Sequence, residues 1–292
     1  MPRQESPGAA LRAKLAARRA LLVPGAANAL SARIVADLGF EAVYLSGAGV
    51  TNMFLGVPDL AFIGVSELVE HTSAVRDVVE LPIIVDGDTG FGNALNVRQT
   101  VRRLERAGAN AIQLEDQVLP KRCGHFAGKE VISAGEMAGK VKAAVDARHD
   151  DDFLIIARTD ARAVEGFDAA IERAQRYIEA GADITFVEAP ESLDEVRRIP
   201  QLLSVPQVIN LVVGGRTPIV GREELAEMGF ALVLYANAAL QGAILGMQRA
   251  LGELKERGRL DESAAFVAGF EERQRLVQKP LFDELNRRYA AD

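Results

Sequence analysis

Short apolar runs recur along this chain, each followed by a few small or polar residues and then by a stretch with helical amphipathic periodicity. This alternation constrains the fold more than any other feature. The runs cover residues 21–23, 42–45, 83–85, 111–114, 154–157, 184–187, 207–210 and 231–234. Several are almost uninterrupted Val, Ile, Leu and Ala, as expected of parallel strands buried on both faces. Helical patterns over 96–107, 134–147 and 168–180 separate them. Eight such units predict an α/β chain folded as a (β/α)8 barrel of the TIM type, in one domain spanning 1–292. Glycine stands between helix and strand in Arg106-Ala107-Gly108-Ala109, Glu179-Ala180-Gly181-Ala182 and Glu227-Met228-Gly229-Phe230, the signature of a helix stop. Residues 238–257 and 262–289 read as further helices beyond the last strand, more than a barrel needs and of a kind that often serves a subunit interface.

Composition narrows the partners. With 49% hydrophobic and 26% charged residues of both signs interspersed, and no run resembling a membrane span, the chain has a globular composition. A net charge of -7 argues against a nucleic-acid surface, so an anionic substrate needs a local basic pocket. One cysteine cannot form an internal disulfide, which fits a reducing, cytoplasmic setting. Residues 11–22 are basic and free of acids, so a targeting role has to be weighed, but their apolar part is short and runs into the first strand.

In a barrel of this kind the active site lies at the carboxyl ends of the strands, and polar residues gather there. Strand two ends in Tyr44-Leu45-Ser46-Gly47-Ala48-Gly49, where glycine lets backbone N–H groups approach a carboxylate or phosphate; a tight turn is the plainer use. Strand three ends in Asp86-Gly87-Asp88-Thr89-Gly90-Phe91-Gly92 and strand four in Glu115-Asp116, so at least three carboxylates crowd one rim. Like charges that close need a cation or must take up protons. Mg2+ suits an all-oxygen set, with Mn2+ as a substitute, and Asp59 can join from the preceding loop. Arg158 follows strand five, Glu188 follows strand six and Asn210 ends strand seven. The arginine suits forked pairing with a carboxylate or phosphate, or a structural ion pair with Glu188. Cys123, in Lys121-Arg122-Cys123-Gly124-His125, has cationic neighbours that favour its thiolate and let it move a proton near neutral pH; a small buried hydrophobe is the plainer role.

Taken together, these motifs and Ala157-Arg158-Thr159-Asp160-Ala161 resemble the isocitrate lyase and phosphoenolpyruvate mutase superfamily over residues 21 to about 247. The Lys-Arg-Cys-Gly-His run resembles its carbon–carbon lyase branch. The resemblance implies a magnesium-dependent cleavage of a 2-hydroxy dicarboxylate, of the alkylmalate or 2-methylisocitrate type, into a 2-oxo acid and a second carboxylate. It implies Asp86 as direct metal ligand, with Asp59, Asp88 and Glu115 reaching the metal directly or through water. Tyr44, Ser46, Gly47 and Ala48 would bind the 2-oxo-acid portion with Arg158, while Glu188 and Asn210 line the site. Cys123 would be the catalytic acid on a mobile loop, with Lys121, Gly124 and His125 beside it, and the C-terminal helices would exchange between subunits of a homotetramer.

Three other readings compete: an oxaloacetate decarboxylase, whose comparable members lack the loop cysteine; a phosphonate mutase or hydrolase, with a different loop; and a non-catalytic binding barrel. Two departures bear on substrate. Val213 stands where the family usually has glutamate, and Gln241 where members cleaving methylisocitrate carry an arginine for the third carboxylate. Losing a charged hydrogen bond costs about 1.5–3 kcal/mol, which favours an alkylmalate over a tricarboxylate.

Overall fold

A computed structural model describes residues 6–122, 124, 128–261, 263 and 265–290. Cys123 and His125 lie outside the described residues. The eight expected strands are all present: β1 (Leu21–Ala26), β2 (Val43–Leu45), β3 (Ile83–Asp86), β4 (Ala111–Glu115), β5 (Leu154–Thr159), β6 (Ile184–Val187), β7 (Gln207–Asn210) and β8 (Leu232–Tyr235). Each pairs in parallel with its sequence neighbour, and β8 closes the barrel on β1 with Leu21 opposite Leu232.

Helices α1 (Pro7–Ala16), α2 (Ala29–Asp37), α3 (Gly47–Val50), α4 (Val65–Arg76), α5 (Ala94–Arg106), α6 (Ala134–Ala147), α7 (Arg162–Glu165), α8 (Phe167–Glu179), α9 (Leu193–Leu202), α10 (Arg222–Met228), α11 (Ala238–Arg257), α12 (Phe270–Leu276) and α13 (Lys279–Tyr289) complete the chain. The stretch weighed for targeting supplies α1, whose Leu11 and Leu15 pack with Leu21, Val23 and Ile84 at the foot of the barrel interior. The three glycine stops hold: Gly108, Gly181 and Gly229 have φ of 97°, 103° and 96°, a left-handed backbone that glycine adopts without strain. The helix expected over 262–289 is instead two, α12 and α13. They part at Gln278, where φ is 56°, and Pro280 stands in the first turn of the second, since proline has no N–H to extend a preceding helix but fits a first turn.

Side chains of a strand alternate between faces, and this parity builds the site. Tyr44, Ile84, Ala111, Ile156, Phe186, Val208 and Leu234 fill the barrel interior. Leu45, Val85, Ile112, Leu114, Ile155 and Ala157 face the helices. Continuing the inward set past the apolar layers reaches Asp86, Glu115, Arg158, Glu188 and Asn210 at the mouth. The outer layer carries much of the stability. Leu104 of α5 is fully buried in it, so Leu104→Ala is expected to cost about 2–5 kcal/mol, read as a lower urea midpoint.

Candidate active site

One pocket opens at the carboxyl ends of the strands, lined among others by Tyr44, Ser46, Ala48, Asp59, Asp86, Glu115, Lys121, Gly124, Arg158, Glu188 and Asn210. Strands two to seven and the loops that follow them therefore deliver most of the described residues singled out in sequence. Two of these stand just behind the lining. Gly47 donates its backbone N–H to Asp86 Oδ2 at 3.2 Å, so it holds the acid in place rather than facing the cavity. Asp88 accepts Lys121 Nζ at 2.9 Å. Ser46 caps α3, accepting the Gly49 N–H at 3.1 Å.

The charges are arranged in two groups. Lys121 reaches both oxygens of Asp59 at 2.6 and 2.7 Å in addition to Asp88. Burial alone would depress the Lys121 ammonium, but Asp88, Glu115, Asp86 and Asp59 outweigh it and raise its pKa well above the ordinary value. Arg158, read in sequence as a partner for a substrate carboxylate or phosphate or for Glu188, does pair with Glu188 among several acids. Its nearest carboxylate is Asp160, at 2.9 Å from Nε and 3.0 Å from Nη2, with Glu115 at 3.3 Å and Glu188 at 3.5 Å. Its guanidinium also lies 5.3 Å from the centre of the Phe186 ring. The basic pocket that an acidic chain needs for an anion is thus present, supplied by Lys121, Arg122 and Arg158.

Asp116 is a correction to the crowded rim expected from Glu115-Asp116. It faces outward, accepting Thr159 Oγ1 at 2.7 Å, the Asp160 N–H at 2.8 Å and the Tyr177 hydroxyl at 2.7 Å. Adjacent strand residues point to opposite faces, so only Glu115 of the pair can enter the mouth.

The expected metal set also differs in one respect. Among the described residues no three His, Cys, Asp or Glu side chains converge as a ready cage, because Asp59 and Asp88 turn to Lys121 and Glu115 to Arg158. The donors nonetheless fit a hard divalent ion: all are oxygens, and Glu115 Oε1 is buried without a hydrogen bond. Burial pushes Asp88 up to about 7, against the pull of Lys121. It also drives Glu115 well above the ordinary range. In both, burial outweighs the pull of the neighbouring lysine or arginine, and a bound cation would add to that pull.

Burial, joined by the charge of Asp86, raises the Tyr44 phenol well above its usual value. Tyr44 is therefore a neutral hydrogen-bond donor at physiological pH. Asn210 Oδ1 is buried without a hydrogen-bond partner, and so is Asn237 Oδ1. Asn237 lines the pocket two residues past the end of β8 and was missed in sequence, although its place after a strand was the available signal. Val213 and Gln241 meet each other: Gln241 Nε2 donates to the Val213 carbonyl at 3.3 Å. Val213 is 68% exposed, and neither residue is among those lining the pocket.

The cavity volume is about 40 Å³. Gly124 closes it from above. A Cβ there would lie 2.5 Å from Arg158 Nη2 and 2.7 Å from Glu188 Cδ, so only glycine allows this approach.

A closed barrel with buried acids and three basic side chains around one mouth pocket defines an enzyme of the (β/α)8 class that handles an anionic substrate. The phosphoenolpyruvate phosphomutase family model matches residues 11–255. The chain is 45% identical to 2,3-dimethylmalate lyase of Eubacterium barkeri, covering 82% of this chain and 83% of that protein. It is 47% identical to 2-methylisocitrate lyase of Aeropyrum pernix, covering 87% and 82%. Among solved structures, one of 2,3-dimethylmalate lyase superposes with a TM-score of 0.92 at 30% identity, covering 99% and 97%. A phosphonopyruvate hydrolase solved with oxalate and Mg2+ gives 0.87 at 31% identity, covering 97% and 99%. The chain belongs to the phosphoenolpyruvate phosphomutase family, within the superfamily that includes isocitrate lyase.

Proposed function

We propose that this enzyme splits a 2-hydroxy dicarboxylate of the alkylmalate type between C2 and C3, giving a 2-oxo acid and a second carboxylate. The observation that carries the reading is the convergence of Asp86, Glu115, Lys121 and Arg158 on one pocket at the barrel mouth. Its lyase relatives, 45% and 47% identical over most of the chain, make it a carbon–carbon lyase.

The reaction removes the proton from the C2 hydroxyl, breaks the C2–C3 bond and protonates C3. Negative charge gathers first on the C2 oxygen and passes to the C3 fragment as the bond pair leaves and C2 becomes a carbonyl. Asp86, with Asp88, Glu115 and Asp59, would hold Mg2+, or Mn2+ on the same oxygens. The ion, when bound, supplies positive charge to the carboxylate and C2 oxygen of the 2-oxo-acid fragment. Arg158, fixed by Asp160, pairs with a substrate carboxylate, and Tyr44 donates a hydrogen bond from its neutral phenol. Ser46, Ala48, Glu188 and Asn210 shape the same wall, with the Gly47 N–H steadying Asp86. Cys123, carried between Lys121 and Gly124, is assigned the proton to C3, with His125 beside it. A loop carrying Cys123 that closes over the bound substrate belongs to the same reading, and its closure would exclude water from the charged intermediate.

Gln241 brings no positive charge to this site, which favours a dicarboxylate over 2-methylisocitrate. The test is a screen of alkylmalates, 2-methylisocitrate, oxaloacetate and phosphonopyruvate with and without Mg2+. Turnover of an alkylmalate that stops on chelation is expected. Reaction with oxaloacetate alone would replace cleavage by decarboxylation.

Helices α11, α12 and α13 have no buried residue, and Leu245, Leu251, Phe270 and Phe282 are 69%, 63%, 70% and 57% exposed. Apolar helices so exposed suit association, and a second copy of the chain exchanging these helices within a homotetramer is the occupant this reading assigns. Light scattering after size exclusion should return four times the 31.4 kDa chain mass; a monomer would remove the assignment.

A further inference from the structure

The segment leaving β4 returns to it like a strap. Gln117 bridges Val131, the Val118 N–H donates to the Glu130 carbonyl at 2.9 Å, and the Gln117 amide holds Arg122 on both sides, at 2.8 and 2.9 Å. Inside the strap lies a group that nothing above uses. Lys129 Nζ reaches Asp160 Oδ1 at 2.7 Å and the Gly124 carbonyl at 2.5 Å. The two side chains are 1% and 0% exposed. Neither lines the mouth pocket. Asp160 also accepts from Nε and Nη2 of Arg158, and its own N–H donates to Asp116. One carboxylate thus ties the strap to the arginine that faces the substrate.

A buried ion pair is a poor way to gain stability, since desolvation offsets most of the attraction, but it is selective for one geometry. Gly124 sits at the contact where geometry matters most, against Arg158 and Glu188. We propose that Lys129 is a positioning residue that, through Asp160 and the Gly124 carbonyl, holds Gly124 and Arg158 in register at the mouth pocket. The claim rests on the lyase reading of the site. Lys129 itself touches no reacting atom.

The experiment compares wild type with Lys129→Met, Lys129→Arg and Asp160→Asn in the full chain, by steady-state kinetics on the alkylmalate that wild type cleaves and by amide hydrogen exchange without substrate. Loss of register by about 1 Å can cost on the order of a hundredfold. Lys129→Met is expected to lower kcat by about 10- to 100-fold with a smaller change in KM. Exchange of peptides spanning 117–131 should rise while that of β3 stays as in wild type. Lys129→Arg, which keeps charge and reach, should restore protection and part of kcat. Asp160→Asn should repeat the Lys129→Met pattern and serves in its place should the methionine variant not fold. Unchanged kcat, or unchanged exchange over 117–131, in the folded variants overturns the proposal. Should wild type cleave no 2-hydroxy dicarboxylate, the lyase reading fails by itself, and the exchange arm still decides whether Lys129 holds the strap.

Discussion

Asp86→Ala is expected to lower kcat/KM by about a thousandfold or more and to abolish the heat of Mg2+ binding measured without substrate. Asp86 ends β3 on the inward face, and its carboxylate is set by three donors: the N–H groups of Gly47 and Asp88, at 3.2 and 3.3 Å, and Gln113 Nε2 at 3.4 Å. All three are long contacts, which leave the oxygens available to a stronger partner. A thousandfold corresponds to about 4 kcal/mol of transition-state stabilisation, the scale on which removal of a preorganised charge at a reacting oxygen is felt. The calorimetric arm does not depend on having found the substrate. Undiminished Mg2+ binding by the alanine variant would remove Asp86 from the metal site.

The second large effect is expected for Cys123→Ser. Serine keeps the size and the hydrogen-bonding position but is a far weaker acid than a thiol, so general-acid protonation of C3 is lost while the pocket is kept. A positioned acid contributes about 10²- to 10⁴-fold, and kcat should fall by that amount with KM and Mg2+ binding close to wild type. Comparison of kcat and KM separates this from a binding defect. Full turnover of an alkylmalate by the serine variant would exclude the thiol from proton transfer. The two variants are expected to divide the site: Asp86→Ala should lose metal binding, whereas Cys123→Ser should keep it and lose proton transfer.

The barrel was legible in sequence because parallel strands need apolar side chains on both faces, and eight such runs stand out from the helical periodicity between them. The same property hid the parity of each strand. A run such as Ala111-Ile112-Gln113-Leu114 gives little sign of which residues face in, so Glu115 and Asp116 looked equivalent. Closure of the barrel sends one into the mouth and the other to Tyr177. The acids and Arg158 were legible as polar residues after apolar runs, and Asn237 carried the same signal after β8. The break between α12 and α13 was marked by Lys279-Pro280 but masked by the helical pattern on both sides.

The charge partners were not legible. Lys121 and Asp59 are 62 residues apart and Lys129 and Asp160 are 31 apart, and no local pattern links them. Sequence determined the strand count, the helix stops and which chemical groups would meet at the barrel mouth, because each follows from short-range periodicity and from the end of a strand. The tertiary structure alone decided which acid takes which cation, that Asp116 turns away, and how close Gly124 comes to Arg158. Those outcomes depend on the separation of side chains on different strands and loops, and Coulomb energy and burial act through that separation whatever the distance along the chain.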